Sequence, residues 1–179
     1  MDAASPPLCV DLDGTLIASD TTVMAFKKLL KRNPFAALMA PLWIAGGKAA
    51  FKAAVARHMI VDASRLPYNK PFLEFLRAEH ARGRTLYLVT GSDIHQAQAV
   101  ADQLGIFRDV WASDGRVNVT GKRKAKLLLE HLGERKFSYA GDHRRDLRVW
   151  AISASAILVN APKWLRDAAA KLTTIEREF

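Results

Sequence analysis

The sequence predicts an α/β fold in which a mainly parallel five-stranded sheet lies between two layers of helices, with a small helical insertion after the first strand. From residue 70 onward, short apolar segments of strand character alternate with amphipathic helical segments. Repeated strand–helix units are typical of parallel sheets that are covered on both faces. Before that point, residues 20–68 form a run of helical patterns that interrupts the alternation.

The individual elements follow from apolar periodicity and from Pro and Gly residues at their boundaries. A buried strand is predicted over residues 7–11, then helices over 21–32, 35–45 and 48–60, and a linker over 66–69. The elements predicted after the linker are helix 70–82, strand 85–90, helix 93–104, strand 109–112, helix 122–132, strand 137–140, strand 156–160 and helix 162–172. We therefore predict a core domain of residues 1–19 and 69–179, and a helical cap of residues 20–68 over the strand ends.

Composition limits the class of protein. A chain of 179 residues is long enough to bury a core and short enough for one domain with an insertion. The single cysteine, Cys9, excludes an internal disulfide framework, and its apolar surroundings predict a buried core residue. The chain shows no signal-peptide pattern at its start and no apolar run long enough to span a bilayer. These features predict a cytoplasmic protein.

The formal net charge of +9 is concentrated between Thr21 and Leu66. This stretch has eight Lys or Arg residues and one acidic residue, so it carries +7 of the excess. It also contains the apolar run 35–45. A segment that is both basic and apolar favours an anionic surface or an anionic substrate, although a helical insertion with solvated lysines has the same composition. No recognised nucleic-acid motif accompanies the charge, so we expect no nucleic-acid partner.

Two aspartates follow the first predicted strand. Asp11 and Asp13 would lie on one side of an extended backbone, and Gly14 would let the chain turn away. Two like charges this close need a neutralising partner. A calcium loop starting at Asp11 would need a Glu where Thr22 stands, and a plain turn with solvated aspartates is the other alternative. We expect the pair at the carboxyl end of a buried strand, where open α/β sheets bind ligands.

Two further motifs suit an anion. Thr90 and Gly91 end a predicted strand and offer a hydroxyl and backbone N–H groups, although a strand-end Thr is often only a cap. Lys122, Lys124 and Lys126 open a predicted helix, where the helix dipole disfavours cations. A solvated basic face would account for two of these lysines. One of the three lysines is therefore left as a candidate for holding positive charge at a site.

A last motif adds carboxylates. Asp142 and Asp146 follow another predicted strand and, being four residues apart, face the same way on a turn or helix start. Together with Asp11 and Asp13 they would form a cluster of four carboxylates, which requires a divalent cation. Hard oxygen ligands of this kind suit Mg²⁺.

In this order, the motifs resemble the four motifs of the haloacid dehalogenase superfamily. They are Asp-Leu-Asp-Gly-Thr at 11–15, Thr90-Gly91, a lysine near 124 and Gly-Asp-x-x-x-Asp at 141–146. The resemblance implies a Rossmann-like three-layer α/β/α fold with a cap inserted after the first strand. It also implies a Mg²⁺-dependent phosphatase that hydrolyses a phosphomonoester through an aspartyl-phosphate.

The resemblance implies a role for each matching residue. Asp11 would be the nucleophile, and Asp13 would protonate the leaving oxygen and then activate water. Mg²⁺ would be held by the side chains of Asp11 and Asp142 and by the main-chain carbonyl of Asp13. Asp146 would support the metal through water or from outside its coordination shell. Thr90, Gly91 and Lys124 would bind the phosphate oxygens. The presence of Asp13 favours a phosphatase over a dehalogenase. It does not distinguish a phosphatase from a mutase, because a mutase uses the same two aspartates.

A narrower resemblance concerns a domain found before a membrane-embedded UbiA-family prenyltransferase in some bacterial proteins. Segments 41–52, 66–69, 112–115 and 139–142 carry it. In that domain a lysine follows the glycine by three, which selects Lys124. The resemblance implies an isoprenoid- or lipid-linked phosphate as an alternative to a small phosphorylated metabolite. It also implies peripheral contact with an anionic membrane, at its inner face, or with a UbiA-type partner. A non-catalytic module that docks through its basic cap is the competing function.

Overall fold

The computed structural model describes residues 5–179. The first four residues, on which the predicted absence of a signal peptide partly depends, lie outside the described residues. The strands are β1 (Leu8–Val10), β2 (Leu86–Asp93), β3 (Asp109–Ser113), β4 (Ser138–Gly141), β5 (Ser155–Leu158) and β6 (Thr174–Glu178). The helices are α1 (Thr21–Arg32), α2 (Pro34–Ala37), α3 (Ala40–Ala45), α4 (Lys48–His58), α5 (Lys70–Ala81), α6 (Ile94–Leu104), α7 (Lys122–Leu132), α8 (Leu147–Trp150) and α9 (Lys163–Ala170).

The strands form one sheet in the order β3-β2-β1-β4-β5-β6, and every neighbouring pair is parallel. Leu8 of β1 pairs with Leu86 of β2 on one side and with Ser138 of β4 on the other. The chain thus builds the sheet outward from β1 in both directions. A crevice opens at the carboxyl ends of the strands where the order reverses, so the ends of β1, β2 and β4 meet at one place.

The predicted fold class is confirmed, but the sheet has six strands where five were predicted. The additional strand, β6, pairs with the edge of β5. Its sequence, Thr-Ile-Glu-Arg-Glu, is mostly exposed and charged. Among its residues Ile175 packs against the core. An edge strand with one apolar contact lacks the alternation from which strands are recognised.

The segment predicted as a cap is helical, with two differences from the prediction, of which the smaller is that the helix expected over 48–60 ends at His58. The single helix expected over 35–45 is two helices, α2 and α3. The side chain of Asn33 caps α2 by accepting from the Ala36 amide at 3.1 Å, and Pro41 occupies the first turn of α3. Pro lacks an N–H and is tolerated only at a helix start, so it separates the two helices. Division into core and cap domains at residues 20–68 stays a prediction.

Two apolar clusters cover the two faces of the sheet. Successive side chains of β1 point to opposite faces of the sheet, so Leu8 and Val10 belong to one cluster and Cys9 belongs to the other. Cys9 is fully buried, as predicted, and burial raises the pKa of its thiol. Within residues 5–179, no helix has the length and apolar character that crossing a bilayer requires.

Arg84 connects several segments at the amino ends of the strands, opposite the crevice at their carboxyl ends. Its buried guanidinium donates to Glu79 of α5 at 2.9 Å and to Glu176 of β6 at 2.7 Å. It also donates to the Ser138 hydroxyl of β4 at 2.7 Å and to the Pro6 carbonyl at 2.9 Å. One side chain therefore joins four segments that are distant in sequence, and its contact with Glu176 adds to the backbone pairing that holds β6 to β5.

The variant Arg84→Ala should lower the free energy of unfolding by about 3 kcal/mol, because it leaves two acceptor carboxylates without their buried partner. Arg82→Ala is the matched control, since Arg82 binds the same Glu79 but its side chain is 72% exposed, against 3% for Arg84. We expect it to lose at most about 1 kcal/mol. Urea denaturation measures both, and equal losses would contradict the importance of the buried guanidinium.

The stability should depend on pH through Glu176. Burial acts to raise the pKa of Glu176, but hydrogen bonds from Arg84 and Ser155 outweigh it and hold the pKa below its ordinary value of 4.5. A lowered pKa in the folded state contributes stability above pH 4.5, which is lost as the pH falls through the folded pKa. Glu176→Gln should therefore be less stable than the parent at pH 6, and the difference should narrow below pH 4.5. Denaturation at several pH values checks this, and a difference between the two proteins that stays constant across this range would contradict it.

Candidate active site

The carboxyl ends of β1, β2 and β4 border a pocket of about 250 Å³. Every residue that the sequence singles out for chemistry lines it, namely Asp11, Asp13, Thr90, Gly91, Lys124, Asp142 and Asp146. Asp11 follows β1 directly and Asp142 follows β4 directly, while Thr90 lies in β2. The parallel sheet thus brings together residues from four distant parts of the chain.

Three carboxylates approach one another in this pocket. One oxygen each from Asp11, Asp142 and Asp146 lies within 4.8 Å of the other two, and we call these residues the carboxylate cluster. Burial, and then the charges of Asp11 and Asp146, raise the pKa of Asp142 to about 7. The Thr15 hydroxyl donates to Asp142 at 3.0 Å and partly opposes this shift. Part of the shift therefore comes from the neighbouring carboxylates, which disfavour the charged form of Asp142.

Glycines make the close approach possible. Gly14 has a φ of +83°, which favours glycine, and a Cβ there would overlap the Asp142 carboxylate. A Cβ on Gly141 would lie 2.7 Å from an oxygen of Asp146. Each glycine therefore leaves the space that one carboxylate of the cluster occupies.

Lys124 provides the nearest positive charge to the cluster. Its ammonium group donates to Asp11 Oδ1 at 2.8 Å and to the Tyr139 hydroxyl at 2.7 Å, and its side chain is buried. Burial alone would lower the pKa of Lys124, but Asp11 and Asp146 raise it above the ordinary value. The ammonium is therefore held charged. Lys122 and Lys126 are exposed on the same helix, so the structure places Lys124 alone of the three in the pocket.

Tyr139 links Lys124 to Asp146. Its hydroxyl accepts from Lys124 and donates to Asp146 Oδ1 at 3.0 Å, while the other carboxylate oxygen of Asp146 accepts from the His143 amide at 3.0 Å. The tyrosine is fully buried in β4. Sequence reasoning missed it, although a Tyr in an apolar strand is a signal in itself because a buried hydroxyl needs a partner.

The carboxylate of Asp13 faces another direction. It accepts from the Thr21 amide at 2.8 Å and from the Ser92 hydroxyl, which in turn lies 2.9 Å from the Thr21 hydroxyl. Burial raises the pKa of Asp13 despite these hydrogen bonds. Asp13 is thus held by the start of α1 and by β2, and its side chain is fixed at the edge of the pocket where the helical segment begins.

The end of β2 is also fixed by hydrogen bonds. The Thr90 hydroxyl accepts from the Ser92 amide at 3.0 Å. The carbonyl of Gly91 accepts from Lys52 Nζ at 2.6 Å and from the Ser113 hydroxyl at 2.9 Å. Lys52 belongs to α4, so this contact ties the helical segment to the pocket wall.

Several pocket residues were not assigned to the site from the sequence. They are Asp20, Lys52, Thr120, Gly121, His143 and Arg145. Asp20 and Lys52 lie in the helical segment. Lysines and helix-capping aspartates are common in such segments, so neither residue could be assigned to the pocket from the sequence. Their presence means that five carboxylates and three cationic side chains line the pocket.

The donors of the pocket fit a divalent cation. The carboxylate cluster offers hard oxygens within one coordination sphere, and the negative charge of the pocket exceeds the positive charge. Mg²⁺ prefers such oxygens and is held by few protein ligands. The cluster includes the side chain of Asp146, which the sequence analysis expected outside the coordination shell of the metal. The side chain of Asp13 is not part of the cluster, because it binds Ser92 and Thr21 instead.

Comparison with known proteins gives a family match. The model of the haloacid dehalogenase-like hydrolase family matches residues 8–153. An uncharacterized protein, y4nM, of Sinorhizobium fredii (strain NBRC 101917 / NGR234) is 35% identical over 177 residues, which is 96% of this chain and 34% of the relative. The chain therefore spans about a third of the length of this curated relative.

Solved structures share the fold at low identity. A protein of unknown function from Bordetella pertussis Tohama I has a TM-score of 0.63 at 18% identity and covers 97% of this chain and 99% of its own. A substrate-bound phosphoserine phosphatase has a TM-score of 0.64 at 14% identity, with 98% of this chain and 94% of that chain covered. At such identities the likeness establishes the fold.

Adding one methyl group at Gly14 should separate the carboxylate cluster. Gly14→Ala and Gly83→Ala both place alanine at a positive φ, +83° and +85°, but the space beside Gly83 is open. We expect each variant to lose about 1–2 kcal/mol of stability from backbone strain. Displacement of Asp142 should weaken Mg²⁺ binding by about tenfold or more in Gly14→Ala alone. Calorimetric titration with Mg²⁺ measures this, and equal affinity in the two variants would argue against a metal role for Asp142.

Proposed function

The chain belongs to the haloacid dehalogenase-like hydrolase family, and from that membership and the pocket geometry we propose that it is a Mg²⁺-dependent phosphatase. It would hydrolyse a phosphomonoester through an aspartyl-phosphate on Asp11. The observation that carries the proposal is the position of Asp11, whose carboxylate binds the buried Lys124 and lies within 4.8 Å of the other two members of the carboxylate cluster. Phosphoryl transfer needs charge neutralisation and positioning above all. Lys124 and a bound Mg²⁺ would supply the first, and the fixed carboxylates would supply the second.

Asp11 is the proposed nucleophile. Lys124 binds Oδ1 of Asp11, which orients the carboxylate and leaves Oδ2 to attack phosphorus. A bond forms between that oxygen and phosphorus as the bond from phosphorus to the leaving oxygen breaks. A carboxylate nucleophile divides hydrolysis into two easier steps, of which the second is attack of water on the aspartyl-phosphate.

Asp13 is the proposed acid and base. In the first step it gives its proton to the leaving oxygen, and in the second it takes a proton from the attacking water. Burial raises the pKa of Asp13, which favours the protonated form that the first step needs. The hydrogen bonds from Ser92 and Thr21 hold the carboxyl group in place through both steps.

The remaining pocket residues would bind the phosphate and the metal. The hydroxyl of Thr90, the backbone of Gly91 and the ammonium of Lys124 are the proposed phosphate contacts. Mg²⁺ would be held by the side chains of Asp11 and Asp142 and by the main-chain carbonyl of Asp13. Asp146 would support the metal through water or from outside its coordination shell. The metal, when bound, would neutralise charge so that an anionic nucleophile can approach an anionic phosphate.

The substrate class follows from the helical segment. Its excess positive charge favours an anionic substrate, either a small phosphorylated metabolite or an isoprenoid- or lipid-linked phosphate. The resemblance to domains that precede UbiA-family prenyltransferases supports the second. We accordingly propose peripheral contact with an anionic membrane or with such a partner, and no nucleic-acid partner. A mutase would use the same aspartates.

A second candidate function is docking without catalysis. The observation in its favour is a set of exposed apolar side chains between Pro34 and Ala45, among them Phe35, Leu38 and Leu42, in the segment that follows the basic helix α1. Such surfaces mark sites of protein or membrane contact. The complete set of pocket aspartates favours catalysis, because a module that only docks has no need of them.

Asp11→Asn should abolish phosphate release from an aryl phosphate such as p-nitrophenyl phosphate, with a loss of at least about 10³-fold, because the amide is not a nucleophile. The parent should also need Mg²⁺ and should lose activity with a chelator. Asp102→Asn is the control, since Asp102 is exposed on α6 away from the pocket. Full activity in Asp11→Asn would refute the nucleophile, and an inactive parent across a panel of phosphates would favour docking.

A further inference from the structure

A second cavity, of about 460 Å³, lies among α1, α3 and α4. Its apolar walls are Val23, Ile44 and Phe51, and Thr22, Gly47 and Lys48 complete its lining away from the active site. We call it the apolar cavity. Phe51 is anchored by an edge-to-face contact with Phe26, with ring centroids 5.6 Å apart. This contact packs the Phe51 wall of the cavity against α1.

The apolar cavity adjoins the catalytic pocket. Asp20 and Lys52 line both. Lys52 reaches across from α4 to donate to the Gly91 carbonyl at 2.6 Å, so its side chain forms the boundary between the two spaces. Asp20 caps α1 by accepting from the Val23 amide at 3.0 Å. A molecule held in the catalytic pocket would pass these two side chains to enter the apolar cavity.

The walls of the apolar cavity are incompletely covered by the described residues. Val23 is 48% exposed and Ile44 is 61% exposed. Apolar side chains that line a concave site gain free energy when an apolar ligand covers them, at about 25 cal/mol per Å². A strongly polar leaving group would leave Val23, Ile44 and Phe51 without a partner. The chemistry of the walls therefore favours an apolar chain.

We propose that the apolar cavity binds the leaving group of the substrate, and that the substrate is the phosphomonoester of an apolar alcohol. This inference rests on the proposed function and deepens it. The phosphate would lie at the strand ends, and the chain would extend past Asp20 and Lys52 to Val23 and Ile44. Lys48 and Lys52, which both line the apolar cavity, would attract an anionic amphiphile. A small polar metabolite would use the catalytic pocket alone.

The proposal is tested by measuring kcat/KM for alkyl phosphates of increasing chain length, each kept below its critical micelle concentration. Each buried methylene contributes about 0.8 kcal/mol; with partial burial, kcat/KM should rise at least about tenfold from butyl to octyl phosphate. The double variant Val23→Asn, Ile44→Asn should remove most of this gain and leave methyl phosphate within about twofold of the parent. Leu129→Asn is the matched control, because Leu129 is a similarly exposed apolar residue (43%) on α7, outside the cavity.

The outcomes separate the inference from the proposed function. Hydrolysis that is independent of chain length, or a double variant that keeps the gain, would overturn the inference while the phosphatase stands. If no phosphate is released from any ester, the proposed function fails and calorimetry with butyl and octyl phosphate decides the inference. Tighter binding of octyl phosphate that the double variant loses would support the apolar cavity as a chain site, and equal binding of the two esters would overturn it.

Discussion

The contact between Lys124 and Asp11 is the constraint on which the active site depends. Three carboxylates within 4.8 Å of one another repel strongly in a partly buried pocket. Lys124 offsets part of this repulsion by binding Asp11, and Tyr139 connects Lys124 to Asp146 through a second hydrogen bond. Burial and the neighbouring carboxylates raise the pKa of Asp142 to about 7 despite the charge of Lys124. The pocket thus combines a fixed internal cation with a surplus of carboxylates, which is a donor set that fits a divalent cation.

The fold supplies this arrangement through two simple properties. Parallel strands end at one edge of the sheet, so an aspartate placed after β1 and another after β4 become neighbours. Glycines at 14 and 141 then remove the side chains that would hold the carboxylates apart. The helical segment closes the pocket from another side through Lys52 and through the amide of Thr21, so the pocket has walls from both parts of the chain.

The sequence was sufficient to predict the fold class and to place Asp11 and Asp142 at strand ends, because each follows an apolar run directly. Thr90 was expected to end a strand, but β2 continues past it to Asp93. It did not reveal β6, whose pairing depends on the edge of β5 and on the charge of Arg84. Nor did it reveal Tyr139 or Lys52. Their significance comes from contacts across long stretches of sequence, and local periodicity contains no information about such contacts.

The burial of Cys9 has a consequence for observing the molecule. Its sulfur lies in the central strand, shielded on every side, and its raised pKa keeps it protonated. A thiol of this kind reacts with alkylating reagents only while the protein is transiently open. Because it is the only cysteine in the chain, its rate of modification reports how often the middle of the sheet separates in otherwise native protein.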